Sequence, residues 1–219
     1  MRAPTRGATR GHRIFAALYD RMASVGERAG MADIRAELLG DASGRTLEIG
    51  AGTGLNLSHY TESVTELVVT EPDPFMAGRL RKRLAADPPR PATVRVVEAP
   101  AEELPFEDES FDTVVSTLVL CSVEAPDRAV AEIVRVLDPA GRLLCVEHVR
   151  SPDSRRLAGW QDRLERPWGW FTGGCHPNRD TLAELEAAGL QTESLVRDGL
   201  PKAPPLVRPL VRGAARRLR

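Results

Sequence analysis

The chain has 219 residues, 42% of them hydrophobic, and a formal net charge of −1. That is enough chain for one sizeable core, and a near-neutral balance gives no reason to expect nucleic acid as a partner. Three widely spaced cysteines, Cys121, Cys145 and Cys175, form no CxxC pair and no disulfide framework, which fits a reducing cytoplasm. No apolar run approaches the roughly 20 residues that span a bilayer, and no signal peptide is visible, so a soluble cytoplasmic protein is expected.

Residues 1–10 lack periodicity. Arg2, Arg6, Arg10 and Arg13 stand there without an acid, so residues 1–13 are expected to form a disordered tail. From Ile14 to about Leu39, apolar residues recur at helical spacing (Ile14, Leu18, Met22, Val25, then Ile34 and Leu38), predicting one broken helix or two. Strands and helices then alternate. Thr46–Ile49 is a strand entering a glycine loop, and Leu55–Tyr60 is expected to open a helix. Glu66–Thr70, Val94–Glu98, the very apolar Phe111–Leu118 and Arg142–Val149 read as further strands. Pro74–Ala86 and Ala125–Val136 read as the helices between them. Such alternation implies right-handed crossovers and a parallel α/β sheet covered on both faces. After Ser151 comes an insert, about 151–180, holding all three tryptophans (Trp160, Trp168, Trp170) and Phe171. These aromatics read as the wall of an apolar pocket, or equally as packing of a cap onto the sheet. A helix over Asp180–Ala188 and two last strands, Gln191–Arg197 and Val207–Ala214, complete the chain. The basic residues Arg208, Arg212, Arg216, Arg217 and Arg219 are expected on a solvated final strand rather than on a lipid-binding helix, which Pro209 and Gly213 would weaken.

The chemistry concentrates at Glu48-Ile49-Gly50-Ala51-Gly52-Thr53-Gly54. Gly50, Gly52 and Gly54 let the backbone turn sharply and let a ligand approach the main chain. The dinucleotide fingerprint G-x-G-x-x-G would place its third glycine at Leu55, so a nicotinamide dehydrogenase is excluded. Glu48 at the strand tip repels a pyrophosphate and attracts an ammonium. Glu71, roughly 20 residues on at the next strand tip and followed by Pro72, is placed to hold both hydroxyls of a ribose.

Together with Ala101-Glu102-Glu103-Leu104-Pro105-Phe106 and Ser110-Phe111-Asp112-Thr113-Val114-Val115, these stretches resemble a class I S-adenosylmethionine-dependent methyltransferase, from about residue 14 to residue 215. The resemblance implies a doubly wound, Rossmann-like sheet, mostly parallel with an antiparallel C-terminal edge strand. It implies one domain over 14–219, with a helical lid at 14–40, and S-adenosylmethionine as cofactor. The implied donor-binding set is Glu48, Gly50, Gly52, Gly54, Glu71, Pro72, Ala101, Glu102, Thr117, Leu118 and, as a lid, Tyr19. Pro100 stands where the family commonly has an aspartate near the adenine, leaving Ala101 and Glu102 as candidates for that end.

Thr117–Val123, Glu147-His148-Val149 and Gly174–Thr181 further resemble the branch containing animal alkyl thiol methyltransferases and soluble bacterial relatives. That implies S-methylation of a small thiol. A thiol needs little beyond alignment and one base; His148 is the candidate, assisted by Glu147 or His176. Zinc would suit Cys121, His148, Cys175 and His176 if they converged, but their spacing does not demand it and no metal is expected. The alternatives are O-, C- or N-methylation of a quinone-like or natural-product metabolite, or a non-catalytic binding protein of the same fold.

Overall fold

A computed structural model describes residues 6–217 except Ala92, and the side chains from Ala16 onward. The N-terminal region is two helices, α1 (Arg6–Gly26) and α2 (Ala32–Gly40), joined by a widened turn that kinks at Gly30, whose φ is +130°. Helix α1 therefore occupies part of the stretch expected to be disordered, and residues 1–5 of that stretch lie outside the described residues.

The strands are β1 (Gly44–Ile49), β2 (Val64–Thr70), β3 (Val94–Val97), β4 (Phe111–Thr117), β5 (Leu137–His148), β6 (Leu190–Thr192), β7 (Val196–Gly199) and β8 (Pro209–Arg217). They form one sheet in the order β3-β2-β1-β4-β5-β8-β6, with β7 also paired to β8. The first five run parallel, and β8 is antiparallel to β5, β6 and β7. The expected strand over Gln191–Arg197 is thus two short strands lying in succession along β8. Gly213 marks the break between them. Its φ is +138°, and a Cβ there would stand 2.4 Å from the Ser194 carbonyl oxygen.

The remaining helices are α3 (Pro74–Ala86), α4 (Pro126–Val136), α5 (Arg155–Thr172) and α6 (Thr181–Ala187). Asp73 caps α3, accepting from the N–H groups of Phe75 and Met76 with Pro74 in the first turn. Two apolar layers sandwich the sheet, and the strand period of two deals residues to them alternately. Leu47, Ile49, Val114, Leu143 and Cys145 pack with Ile133 of α4 and Leu185 of α6. Val115, Leu144 and Val146 pack with Ile34 and Leu38 of α2 and Leu80 of α3.

Two expectations are corrected. Leu55–Tyr60 forms only turns and a single 3-10 turn at Leu57–His59. The reason is lateral: Asn56 and Tyr60 commit their side chains to the sheet (below), which holds the segment flat against it. The insert contains the 18-residue helix α5 despite Pro167. Buried Gln161 docks it, accepting from Ser151 N–H at 2.8 Å and donating to the carbonyls of Val149 and Leu206. Of the four aromatics expected to line a pocket, Trp170 and Phe171 are exposed and meet edge to face, Trp160 is half exposed, and Trp168 alone packs inward on Cys121 and Cys175. The basic end is strand, with Arg212 paired to Glu37 and Asp198, and Arg216 to Glu193. No helix among the described residues is long and apolar enough to cross a membrane.

Candidate active site

Alternation along the strands fixes which residues share a face. Glu48 follows Leu47 and precedes Ile49, so it points to the α2 side, as Thr117 does beyond Val115 and His148 beyond Val146. The ends of β1, β4 and β5, three neighbouring parallel strands, thus present Glu48, Thr117 and His148 on one face. That is the carboxyl edge, where open α/β sheets bind ligands. Glu147 and Ser116 fall on the opposite face.

A cleft opens on this face, lined by Tyr19, Arg35, Glu48, Gly50, Gly52, Thr53, Asn56, Thr117 and Leu118 among others. Glu48 is buried at its floor. One carboxylate oxygen accepts from Asn56 Nδ2 at 2.9 Å, the other from the Tyr60 hydroxyl at 2.7 Å. Asn56 Nδ2 also reaches Thr117 Oγ1 at 3.1 Å. Burial pushes the Glu48 carboxyl up to about 7, opposed by these hydrogen bonds and by the Arg35 charge. Arg35 is itself only 5% exposed; its Nε donates to Glu27 at 3.1 Å and its Nη1 to Asn56 Oδ1 at 2.5 Å. Glu71 accepts from Gly52 N–H at 2.8 Å and from Asp73 N–H at 2.9 Å, so it braces the glycine loop. Burial raises its pKa, the two N–H donors opposing. Each carboxylate still has acceptor capacity, since an ionised carboxylate offers about four lone-pair sites.

The three glycines divide by role. All have φ between +55° and +83°. A Cβ on Gly50 would meet Val119 at 2.7 Å, and one on Gly54 would meet Leu80 at 2.6 Å. Above Gly52 nothing lies within 4 Å; its missing side chain leaves open space at the cleft. Helix α1 closes over the loop through Asp20, which accepts from Thr53 Oγ1 at 2.5 Å and pairs with Arg83 at 3.1 Å. Tyr19 beside it lines the cleft, and burial raises its pKa.

At the end of β4 the chain is held under strain. Leu118 itself has φ +58°, unusual for a bulky residue. Glu147 fixes this turn from the far face, accepting from Ser116 Oγ at 2.7 Å and Val119 N–H at 3.0 Å. The segment 174–179 is stitched to the same loop. His176 N–H donates to the Cys121 carbonyl at 2.7 Å, and Arg179 donates to the carbonyls of Leu120 and Val123 at 2.7 and 2.5 Å. This stitching brings Cys175 beside Cys121 and His148. His148 Nε2 lies 2.9 Å from Cys175 Sγ, and Trp168 Nε1 donates to that sulfur at 3.3 Å. His148 Nδ1 is buried and has no partner among the described residues. Hydrogen bonding with Cys121 and then burial raise the Cys175 thiol, His148 opposing.

The other predicted residues lie elsewhere. The His176 ring pairs with Glu165 Oε1 at 2.8 Å, both about a third exposed. Glu147 lies across the sheet from His148. Ala101 is in the core, and Glu102 accepts from the N–H groups of Glu124 and Ala125 at the start of α4, 2.8 and 3.3 Å away. Pro72 is exposed. The sequence reading missed Arg35, Asn56, Tyr60 and Arg179. Only Arg35 left a signal, a charge set between Ile34 and Leu38 on the apolar stripe of α2.

Residues 47–145 match a methyltransferase domain family. The chain is 34% identical over 169 residues to the human thiol S-methyltransferase TMT1A, which covers 77% of this chain and 69% of that protein. The chain belongs to the class I S-adenosylmethionine-dependent methyltransferases. The rat thiol S-methyltransferase TMT1B is 35% identical over 142 residues, 65% of this chain, and the match spans 58% of the rat protein's length. In fold, this methyltransferase is similar to a Thermotoga maritima protein described as a possible histamine N-methyltransferase. The TM-score is 0.65 at 24% identity, covering 93% of this chain and 95% of that one. S-adenosylmethionine is the methyl donor of this family. The cleft fits it: the open space over Gly52, the buried cation of Arg35 and the carboxylates of Glu48 and Glu71 complement a zwitterionic amino acid joined to a sugar diol.

Proposed function

We propose that this methyltransferase transfers a methyl group to the sulfur of a small thiol. In the donor half, Arg35 faces the donor carboxylate, Glu48 its ammonium and Glu71 its ribose hydroxyls, with Gly52 giving the close approach. S-adenosylmethionine supplies a methyl group already activated on a sulfonium, so the protein's task is to align an acceptor and see it deprotonated. Thr117 and strained Leu118 border the reacting end. His148 is the group through which the thiol is held as thiolate.

The observation that carries this reading is the cluster of Cys121, His148 and Cys175, which adjoins Leu118 at the edge of the cleft. A soft, weakly charged setting suits a sulfur nucleophile. Phenol or amine acceptors would be better served by a carboxylate or hydroxyl base, and Glu147, the nearest acid in sequence, serves the loop instead. The similarity to TMT1A and TMT1B supports the same acceptor class.

The test is methyl transfer from labelled donor to a panel of thiols, phenols and amines. Thiols are expected to be turned over, and His148→Ala to lose thiol turnover while binding the donor unchanged. Inert thiols alongside a reactive phenol, amine or carbon acid would overturn the assignment in favour of metabolite O-, N- or C-methylation.

A further inference from the structure

Cys121, His148 and Cys175 come from three segments: the loop after β4, the end of β5, and the connection between α5 and α6. One ligand atom from each lies within 4.8 Å of the other two, and all three residues are buried. None of the cysteines is in a disulfide. The frame holding them is rigid, since backbone carbonyls on both sides of Cys121 are tied to Arg179 and the Cys121 carbonyl itself to the His176 N–H. The imidazole turns Nε2 toward the sulfurs, and the indole N–H of Trp168 points at Cys175 Sγ. A donor aimed at a ligating sulfur is a typical outer partner of a metal thiolate.

Two sulfurs and an imidazole are a donor set suited to zinc. Bond lengths of about 2.3 Å to sulfur and 2.0–2.1 Å to nitrogen place the ligand atoms of a tetrahedral ion roughly 3.5–3.8 Å apart, a spacing the cluster reaches with small side-chain adjustments. Structural zinc sites use four protein ligands, whereas catalytic sites use three and keep one position open. Here the fourth candidate, His176, is engaged with Glu165. The set stops at three. Cys121 Sγ sits 3.5 Å from the Leu118 carbonyl, and Leu118 lines the donor cleft, so the cluster abuts the reacting end of the site.

We propose that Cys121, His148 and Cys175 bind a zinc ion whose open position receives the acceptor thiol. The thiol proton passes to solvent as the sulfur binds. The bound sulfur then forms its bond to the methyl carbon as the donor's sulfonium–methyl bond breaks, the electron pair of that bond staying on the departing donor sulfur, and the product thioether, a poor zinc ligand, leaves the ion. The ion's substrate rests on the thiol reading above; the ion itself does not.

The full chain, isolated under reducing conditions, is analysed for metal and, after chelation, titrated with Co²⁺ as a spectroscopic probe. The expected result is one ion per chain, with the intense visible bands of tetrahedral cobalt and near-ultraviolet thiolate charge transfer. Cys121→Ser and Cys175→Ser each weaken Co²⁺ binding at least tenfold. Unchanged donor affinity by calorimetry shows that those variants are folded. A small thiol shifts the cobalt bands; a phenol does not. Absence of bound metal and of thiolate–cobalt bands, with all three thiols free by labelling, overturns the site. So does isolation of a Cys121–Cys175 disulfide under reducing conditions. A bound ion whose bands ignore thiols overturns the substrate step alone, and with inert thiols in the transfer assay it separates failure of the acceptor reading from failure of the site.

Discussion

Glu48→Gln isolates one buried charge. In the folded chain burial moves this carboxyl from the usual 4.5 to about 7, and each pKa unit corresponds to about 1.36 kcal/mol. Keeping Glu48 ionised in the folded chain therefore costs about 3 kcal/mol. A group with a raised folded pKa adds stability that is fully present below its unfolded pKa and lost as pH rises through the folded one. The wild type should lose that increment between about pH 4.5 and 7, and Glu48→Gln should lack this part of the profile, becoming the more stable protein at pH 7.5. Donor binding should run the other way. An ammonium needs the ionised carboxylate, so wild-type affinity rises towards tenfold per pH unit from about pH 5.5 to 7, with a proton released on binding, whereas Glu48→Gln binds weakly with a flatter profile. Denaturant unfolding at pH 5.5 and 7.5 measures the first effect. Calorimetry in two buffers of different ionisation heat measures the second. Wild-type affinity independent of pH over that range, with no proton released, would refute the assignment of the ammonium to Glu48.

Further outcomes follow from the same geometry. Gly54→Ala should destabilise by about 2–4 kcal/mol, from a left-handed backbone plus overpacking against Leu80 and Leu57. Gly52→Ala has only the backbone cost, about 1–2 kcal/mol, yet should weaken the donor more than tenfold because its methyl fills the open space; unfolding and calorimetry side by side separate the two. Arg35→Met should cost about 3 kcal/mol by removing the cation paired with Glu27 and the donor to the Asn56 Oδ1 oxygen, and should raise the KM for the donor more than it lowers kcat. His176→Ala should change kcat less than twofold, since its ring pairs with a third-exposed Glu165. Glu147→Ala should lower stability by about 1–3 kcal/mol through the lost support of Ser116 and Val119, measured as a drop in Tm.

The strand–helix alternation and the start of α3 at Pro74 were readable because each rests on local pattern, apolar runs and a proline at the helix start, and the antiparallel end followed from the family resemblance. Helix α5 was not, since Gly159, Pro167 and Gly169 argue locally against it, and what stabilises it is Gln161 bonding to three distant backbone groups. The Leu55–Tyr60 segment failed in the opposite direction: a helical pattern was overridden by Asn56 and Tyr60 reaching Glu48. In the site, Glu48 and the glycine loop were legible as a contiguous motif, and Glu71 as the tip of the next strand. The pairing of His148 with Glu147 was misread because neighbours on a strand point to opposite faces, and only the burial of the surrounding apolar residues says which face each one takes.

By itself the amino-acid order determined the glycine loop and the two strand tips that carry Glu48 and Glu71, because a turn of glycines after a strand is a short-range arrangement fixed by backbone sterics and strand direction; Arg35, Asn56 and Tyr60 were brought to that loop by the tertiary structure. The acceptor half was decided by tertiary structure. Cys121, His148 and Cys175 are 27 residues apart at each step, and nothing in so long a spacing implies contact. They meet because parallel strands β4 and β5 end side by side and because Arg179 and the His176 amide tie the later loop onto the carbonyls of the earlier one.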